Sequence, residues 1–207
     1  MKLSLAGKKA IVCGSTDGIG KASAILMAKR GAEITLVARN EEKLNITISE
    51  LSHEHGQKHS FISADFNYPD ELKQRIHTYF EQANYQVHIL VNNSGGPHGG
   101  QLIDAEDDEF RKAFERLLIC NHIMVKAVVP GMMELGTGRI INIISTSVRQ
   151  VIPGLGVSNT IRGSVAQWAK TLAHELGGHG ITVNNILPGY TATARLQELA
   201  ESKAEAQ

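Results

Sequence analysis

A glycine-rich turn between an apolar strand and a helical segment constrains the fold of this chain more than any other feature. Residues Lys9–Cys13 form an apolar run that is too short for a helix and is bounded by Gly14, so we predict a buried strand. After Gly20, alanine and other apolar residues recur at helical spacing. A strand, a glycine turn and a helix in this order predict a dinucleotide-binding unit.

The glycines of this turn have separate physical roles. Gly14 permits a tight turn, Gly18 lets the backbone approach a pyrophosphate, and Gly20 lets the helix pack closely on the strand. The phosphates would face the N-terminus of the helix, where free N–H groups and the helix dipole favour negative charge. We therefore expect a phosphate site made by Gly14, Ser15, Thr16, Gly18, Ile19 and Gly20.

Strands and helices alternate along the rest of the chain. We predict strands at residues 33–39, 60–65, 87–92, 139–144 and 181–187, and helices at residues 41–51, 69–80, 107–135 and 157–176. Pro130 should bend or shorten the long helix. This alternation predicts an α/β fold of the Rossmann type, a doubly wound parallel sheet with helices on both faces. The 207 residues should form a single domain.

Charge and composition exclude several kinds of partner. Twenty-one basic residues balance 21 acidic ones, which argues against a nucleic-acid or membrane-surface role. No apolar run reaches transmembrane length, and the N-terminus lacks the apolar stretch of a signal peptide. Two isolated cysteines, Cys13 and Cys120, suit a reducing cytoplasm and predict no disulfide framework. His53, His55 and His59 lack carboxylate or thiolate support, so we expect surface residues and no metal site.

Four short motifs follow one another at regular intervals. They are the glycine turn of residues 14–20, Asn92-Asn93-Ser94-Gly95, residues 138–145, and residues 180–184 leading to Pro188-Gly189. Together they resemble the short-chain dehydrogenase/reductase family over essentially the whole chain. The resemblance implies hydride transfer between a nicotinamide cofactor and a carbonyl, an alcohol or an activated double bond.

The segment after residue 190 can also be interpreted from the resemblance. Family members continue with a helical substrate lid, another helix and a seventh strand. We therefore expect residues 190–207 to begin the lid, and the C-terminal strand to be absent from this chain. Specificity residues should then lie beyond Gln207, and the sixth strand should form an unpaired edge.

Further cofactor contacts are implied by the resemblance at the ends of the strands. Asp65, followed by Phe66, stands where the family's carboxylate meets the adenine amino group. Asn93, Ser94 and Gly95 would close over the adenosine ribose. The loop that contacts the nicotinamide amide would contain Pro188, Gly189, Thr191 and Thr193.

The end of the second strand predicts which form of the cofactor is bound. Enzymes that prefer NAD place a carboxylate there, whereas this chain has Ala38 followed by Arg39 and Asn40. Without an acid, nothing repels a 2′-phosphate, and Arg39 can pair with it bidentately. We expect NADP(H) to be preferred over NAD(H), with Arg39 and Asn40 at the site. A solvated Arg39 is the alternative, and Asp17 in the turn is a mild signal against NADP.

The helix expected to carry the catalytic pair departs from the family pattern Tyr-x-x-x-Lys. Counting from Ser145 and from Gly180 places Ser158 at the Tyr position and Arg162 at the Lys position. Ser145 fills the family's Ser position, with Ser147 as an alternative.

The family's helix Asn is also replaced. Its position holds Leu117, and Asn121 lies one turn further on, roughly on the same face if the helix is regular.

These replacements affect proton delivery more than cofactor binding. A serine hydroxyl is too weakly acidic at neutral pH to replace a phenol, but Arg162 stays cationic and can hold ribose hydroxyls. We expect Ser145, Ser158 and Arg162 to form the catalytic group, with a water relaying the proton through the two serines. Another donor, or a substrate such as an activated enone that needs little acid help, is the alternative. Tyr190 and His98 are the other candidate donors, although a lid residue and a solvent-facing histidine fit them better.

Two functions from different classes remain open at this stage. The favoured one is an NADP-dependent reductase of a carbonyl or an activated double bond in a small molecule, since Ser145 and a cation at position 162 are retained. The alternative is an NADP-binding protein without turnover, acting as a sensor or an assembly subunit.

We also expect a homodimer or homotetramer formed through helices 107–135 and 157–176. These helices carry more apolar residues than one sheet-facing stripe requires, and the resembled family pairs them between subunits. The apolar residues beyond that stripe are Leu118, Val125, Val128, Val165 and Trp168.

Overall fold

A single parallel sheet forms the centre of the protein in the computed structural model, which describes residues 3–83, 86–193 and 196–197. Its strands are β1 Lys9–Cys13, β2 Glu33–Ala38, β3 Ser60–Ser63, β4 Ile89–Asn92, β5 Gly138–Ile143 and β6 Ile181–Ile186. They lie in the order β3-β2-β1-β4-β5-β6. This is the doubly wound Rossmann order, so the predicted fold class is confirmed. Within the described residues, β6 forms one edge of the sheet.

Six α-helices connect the strands. They are α1 Gly18–Lys29, α2 Glu41–Ser49, α3 Pro69–Ala83, α4 Asp107–Phe114, α5 Cys120–Glu134 and α6 Gly156–Leu176. The first two begin at side-chain caps, because Asp17 Oδ1 accepts from the Gly18 N–H and Asn40 Oδ1 accepts from the Lys43 N–H. The carboxylate of Asp17 is therefore used within the turn itself.

Apolar residues on both faces of the sheet are buried under these helices. One face packs against α3, α5 and α6, and the other packs against α1 and α2. Fully buried examples are Ile11, Leu90 and Ile140 on the first face, and Val12, Ile34 and Leu36 on the second. The central strands are apolar on both sides because both sides are covered.

The predicted helix 107–135 is not regular. Five residues, Glu115–Ile119, form a π-helical turn between α4 and α5. Pro130 does not shorten α5, which continues to Glu134. Burial of Val128 and Met132 on either side offsets the hydrogen bond that proline cannot make.

The helical stretch Asp107–Glu134 is also long and apolar enough to meet a length-and-composition criterion for a membrane span, contrary to our expectation. Met124 and Met132 of this stretch are fully buried inside the protein. Core helices meet the same criterion, and this burial is what a core helix requires.

Three of the five residues expected on an oligomer surface are instead in the core. Val125, Val128 and Val165 are buried by the chain's own sheet and helices. Leu118 and Trp168 are half-buried. The sequence pattern could not separate these cases, because a sheet-covering helix packed on two sides buries a wide arc of its surface.

Both cysteines are free and buried, in β1 and α5 as predicted. Burial raises the pKa of Cys120 to about 12 and raises that of Cys13 further.

The expectation for the histidines was right for His53 and His55, which are exposed, but wrong for His59. Its Nδ1 accepts from the Ile34 N–H at 3.0 Å, and its Nε2 donates to the Ser52 carbonyl at 2.9 Å. Among the described residues, no three His, Cys, Asp or Glu side chains are placed to hold a metal.

Candidate cofactor site and active site

The glycine turn has no room for a side chain at its three glycines. Gly14 and Gly18 have φ values of +58° and +50°, and a Cβ at Gly20 would lie 2.1 Å from the Gly14 carbonyl oxygen. Asn93 Nδ2 donates to the carbonyls of Cys13 and Gly14 at 3.3 and 3.2 Å. The loop after β4 therefore holds the turn in place.

Not every residue predicted for the phosphate site can contact a phosphate through its side chain. The Ser15 side chain is fully buried and donates to the Val37 carbonyl, so only its backbone can face a phosphate. Thr16 and Ile19 are half-buried at the mouth of the turn.

An open cleft with a volume of about 450 Å³ lies beyond the ends of β2 and β3. The residues lining it are Arg39, Asn40, Ser63, Ala64, Asp65, Glu71 and Arg75. The Arg39 side chain is 71% exposed, and its Nη1 lies 3.8 Å from Asp65 Oδ2. Arg75 makes a closer ion pair with Glu71, at 2.9 Å, and is less exposed, so Arg39 is the better placed of the two arginines to meet an added anion.

The side chains of Asp65 and Phe66 point to different places in the structure. Asp65 Oδ1 accepts from the backbone N–H and from Nδ2 of Asn67, at 2.9 and 2.8 Å, and the carboxylate stays at the cleft. The Phe66 side chain is instead buried in the apolar core. We expected Phe66 to contact the cofactor. Only its backbone can do so, since its side chain faces away from the cleft.

The two replaced catalytic positions meet at one glycine. A Cβ at Gly96 would lie 3.4 Å from Arg162 Nη2 and 4.0 Å from Ser158 Oγ. The Ser158 side chain is buried on the first turn of α6, and Arg162 Nη1 donates to the Ile143 carbonyl at 3.0 Å. The helix thus brings Ser158 and Arg162 against the loop that follows β4. Sequence reasoning had not singled out Gly96.

Ser145 is better placed for chemistry than Ser147. Its Oγ accepts from the Ser147 N–H at 3.0 Å and is half-buried beyond the end of β5. Because that acceptor interaction fixes the oxygen, the Ser145 O–H remains able to donate to a substrate. The Ser147 Oγ is enclosed and has no hydrogen-bond partner among the described residues.

The positions expected to stand in for the family's helix Asn are separated by the π turn. Leu117 is buried against Ile161 and Val165 of α6. Asn121 is buried on α5, and its Oδ1 has no partner in the described part of the chain. The α-helical spacing assumed between the two does not apply, because Leu117 lies inside the π turn.

The loop after β6 reaches back to the glycine turn. A Cβ at Gly18 would lie 3.0 Å from Thr193 Cγ2, and the Pro188 carbonyl accepts from the Thr146 N–H. Thr191 and Gly189 are exposed in this loop. Of the expected lid, residues 194–195 and 198–207 lie outside the described residues.

Neither alternative proton donor is enclosed. Tyr190 is 82% exposed, and His98 is exposed in the loop after β4.

An asparagine ladder at the ends of β4, β5 and β6 was missed by sequence reasoning. Asn92 Nδ2 donates to Asn142 Oδ1 at 2.9 Å, and Asn142 Nδ2 donates to Asn185 Oδ1 at 3.0 Å. The three residues are register partners on adjacent strands. The sequence signal was an Asn near the end of each of three predicted strands.

Comparisons with known proteins bear on the family and the fold. The short chain dehydrogenase family model matches residues 8–204. The oxidoreductase YvaG of Bacillus subtilis (strain 168) is 33% identical over 98% of this chain and 75% of its own length. The human protein called inactive hydroxysteroid dehydrogenase-like protein 1 is 32% identical over 91% of this chain but only 57% of its own length.

Among solved structures, L-sorbose reductase from Gluconobacter frateurii, complexed with NADPH and L-sorbose, superimposes with a TM-score of 0.90 at 29% identity. The match covers 99% of this chain and 78% of that protein. With the family match, the sheet order and the glycine turn, these findings show that the chain belongs to the short-chain dehydrogenase family.

Proposed function

We propose that this protein is an NADP-dependent reductase that transfers a hydride to a carbonyl or an activated double bond of a small molecule. The observation that carries the proposal is the cleft beyond β2 and β3, where Arg39 stands next to Ala38 and no carboxylate occupies the end of β2. The NADPH-bound sorbose reductase that resembles this chain supports a nicotinamide cofactor.

The residues present fit such a cofactor. The glycine turn would receive the pyrophosphate, because its backbone N–H groups lie at the N-terminus of α1. Asp65 would accept from the adenine amino group, and Arg39 would pair with the 2′-phosphate. At the other end Arg162, Thr191 and Thr193 would hold the nicotinamide half. Bound NADPH would supply the hydride.

The active-site residues would then handle the charge that hydride delivery creates on the substrate. The Ser145 O–H would donate to the substrate oxygen, because its Oγ is already fixed by the Ser147 N–H. The Arg162 guanidinium would stabilise a developing alkoxide or enolate electrostatically. Ser158, next to Arg162 at Gly96, would pass a proton from water.

An acid-poor and cationic site favours one class of substrate. A simple ketone needs a proton as the hydride arrives, whereas an enone spreads the new negative charge over an enolate. Since no phenol or imidazole is enclosed at this end of the described sheet, we place activated double bonds ahead of simple ketones.

A screen of enones and ketones with NADPH tests the proposal by the loss of the reduced cofactor's absorbance. Turnover of an enone, with NADPH bound more tightly than NADH, is the expected outcome. Absence of NADPH binding would overturn both the cofactor and the function.

A second function is favoured by Ser158. A protein that binds NADPH but lacks a general acid would act as a sensor or an assembly subunit. The similarity to a protein named as inactive supports this candidate. NADPH binding without turnover across the screen would establish it in place of the reductase.

We also propose that two copies associate through α4, α5 and α6. Phe114 and Met133 remain exposed on these helices, and the rings of His122 and Trp168 lie edge to face between α5 and α6 with centroids 6.3 Å apart. Free cysteines and balanced charge fit a cytoplasmic location without nucleic-acid or membrane partners.

A further inference from the structure

Arg116 lies in the π turn between two loops of the cofactor site. Its Nη2 donates to Asn67 Oδ1 in the loop after β3. Its Nη1 lies 3.5 Å from the Gly96 carbonyl oxygen in the loop after β4. The Nε is buried and has no partner among the described residues, so the two Nη groups make the polar contacts of this side chain.

Asn67 connects Arg116 to Asp65 by hydrogen bonds. With its Oδ1 accepting from Arg116, the Asn67 amide presents Nδ2 to Asp65 Oδ1, which also accepts the Asn67 backbone N–H. One carboxylate oxygen is thereby fixed by two donors. The other oxygen, Oδ2, remains on the side of Arg39 and the cleft.

A second contact anchors the same loop to the same helical stretch. The thiol of Cys120 donates to the Phe66 carbonyl at 3.3 Å. Phe66 and Asn67 are therefore both held from the segment that contains the π turn and the start of α5. The direction in which Asp65 points depends on this segment.

Gly96 connects Arg116 to the other end of the site. Its carbonyl faces Arg116, and its α-carbon faces Arg162 and Ser158. A planar guanidinium can donate to acceptors on two different loops at once, whereas the compact charge of a lysine cannot keep both directions.

We propose that Arg116 is a positioning residue for the adenosine half of the cofactor. Through Asn67 it fixes the Asp65 carboxylate, and through the Gly96 carbonyl it fixes the loop that covers the ribose. The inference rests on the proposed binding of NADP(H), and it adds a residue that does not itself line the cleft.

Substitution of Arg116 by Met tests this role, since methionine keeps part of the apolar length and removes the fork. Adenosine 2′,5′-bisphosphate is the probe, because it contains the adenosine half alone. We expect Arg116→Met to bind it and NADPH about tenfold more weakly, the effect of losing one charged hydrogen bond. Reduced nicotinamide mononucleotide should lose less affinity than the bisphosphate. Arg111→Met, which removes an exposed arginine of α4, is the control.

The route through Asn67 is tested separately. Arg116→Met should cost less affinity in an Asn67→Ala background than in the parent protein, and full additivity would contradict the route. Arg116→Lys should recover only part of the loss. If Arg116→Met does not fold, Arg116→Lys and Asn67→Ala must each weaken the bisphosphate for the proposal to stand.

The outcomes separate this inference from the proposed function. Unchanged bisphosphate binding by Arg116→Met, or an equal loss for both halves of the cofactor, overturns the positioning role alone. Failure of the parent protein to bind either NADPH or the bisphosphate overturns the proposed function as well.

Discussion

Arg162 Nη1 donates a 3.0 Å hydrogen bond to the carbonyl oxygen of Ile143, the last residue of β5. The cation at the proposed active site is therefore tied to the sheet, while its Nη2 faces Gly96. A lysine at this position would have a single ammonium group, which could not both bind the Ile143 carbonyl and face Gly96 in the same way. Arginine and lysine should therefore differ in their effect on turnover at this position.

Restoring the family pair should restore the reduction of simple ketones. The double variant Ser158→Tyr/Arg162→Lys places a phenol beside a lysine, and a positioned general acid contributes roughly 10²-fold or more. We expect its rate on a simple ketone to rise by about that factor, and by more than in Ser158→Tyr alone. Steady-state kinetics measure this. Because Ser158 is buried beside Gly96, weaker NADPH binding would instead show that the ring does not fit.

Removing the Ser145 hydroxyl should slow turnover without weakening the cofactor. Ser145→Ala removes the group that would donate to the substrate oxygen, so we expect kcat to fall by about 10²-fold, as on losing one oxyanion donor. Ser49→Ala, an exposed serine at the end of α2, is the control. An unchanged kcat on a true substrate would remove Ser145 from the mechanism.

Arg39 should determine the preference for the phosphorylated cofactor. Arg39→Ala should weaken NADPH binding by roughly tenfold and leave NADH binding nearly unchanged, because the side chain is exposed and solvent screens part of the interaction. Fluorescence titration of both reduced cofactors measures the ratio. Tighter binding of NADH by the parent protein would contradict the assignment.

Acidification should destabilise the fold through His59. Burial lowers the pKa of His59 below its ordinary value of 6.5, and the lone pair of its Nδ1 accepts from the Ile34 N–H. The stability that neutral His59 contributes is therefore complete above pH 6.5 and is lost as the pH falls through the lowered value. His59→Gln keeps an acceptor and a donor but does not titrate.

Thermal unfolding between neutral pH and pH 5 measures this effect. We expect Tm to fall less on acidification in His59→Gln than in the parent. The slope should be reduced and not abolished, because burial also lowers the pKa of His88. His55→Gln, at an exposed position, should keep the parent slope, and an identical slope in His59→Gln would contradict the prediction.

A charge at Phe114 should disrupt association of two copies. Phe114→Glu places a carboxylate on the α4 surface, where the parent side chain is 41% exposed. Sedimentation velocity at micromolar concentration should show a dimer or tetramer for the parent and a smaller species for the variant. Leu26→Glu, on α1 over the opposite face of the sheet, should sediment like the parent. A monomeric parent would end the proposal.

The parts of the fold that could be predicted are those set by local patterns. Short apolar runs predicted the six strands of the described sheet, because a sheet covered on both faces buries nearly all residues of its central strands. The π turn at Glu115–Ile119 could not be predicted, since it changes the hydrogen bonds but leaves a continuous helical pattern in the sequence.

Residue type could indicate candidate site positions from the sequence, whereas contacts with a distant partner could not be predicted. The glycine turn required glycines, and the structure confirms the crowding at Gly20. The bond between His59 and Ile34 spans 25 residues, and the contact between Arg116 and Asn67 spans 49. No local pattern encodes either one. The burial of Val125 likewise depends on which elements pack around α5.

The asparagine ladder has a consequence for how the strands find their alignment. β5 is isoleucine-rich on both faces, so hydrophobicity alone would tolerate a misalignment of two residues against β4. That error would put Ile140 or Ile144 beside Asn92 and would leave the Asn92 Nδ2 donor and the Asn142 Oδ1 acceptor without each other, at a cost of about 1–3 kcal/mol for each group. The paired asparagine amides therefore favour the native register over the misaligned one. They select the one alignment in which the loops carrying Gly95, Ser145 and Pro188 start at the same level of the sheet.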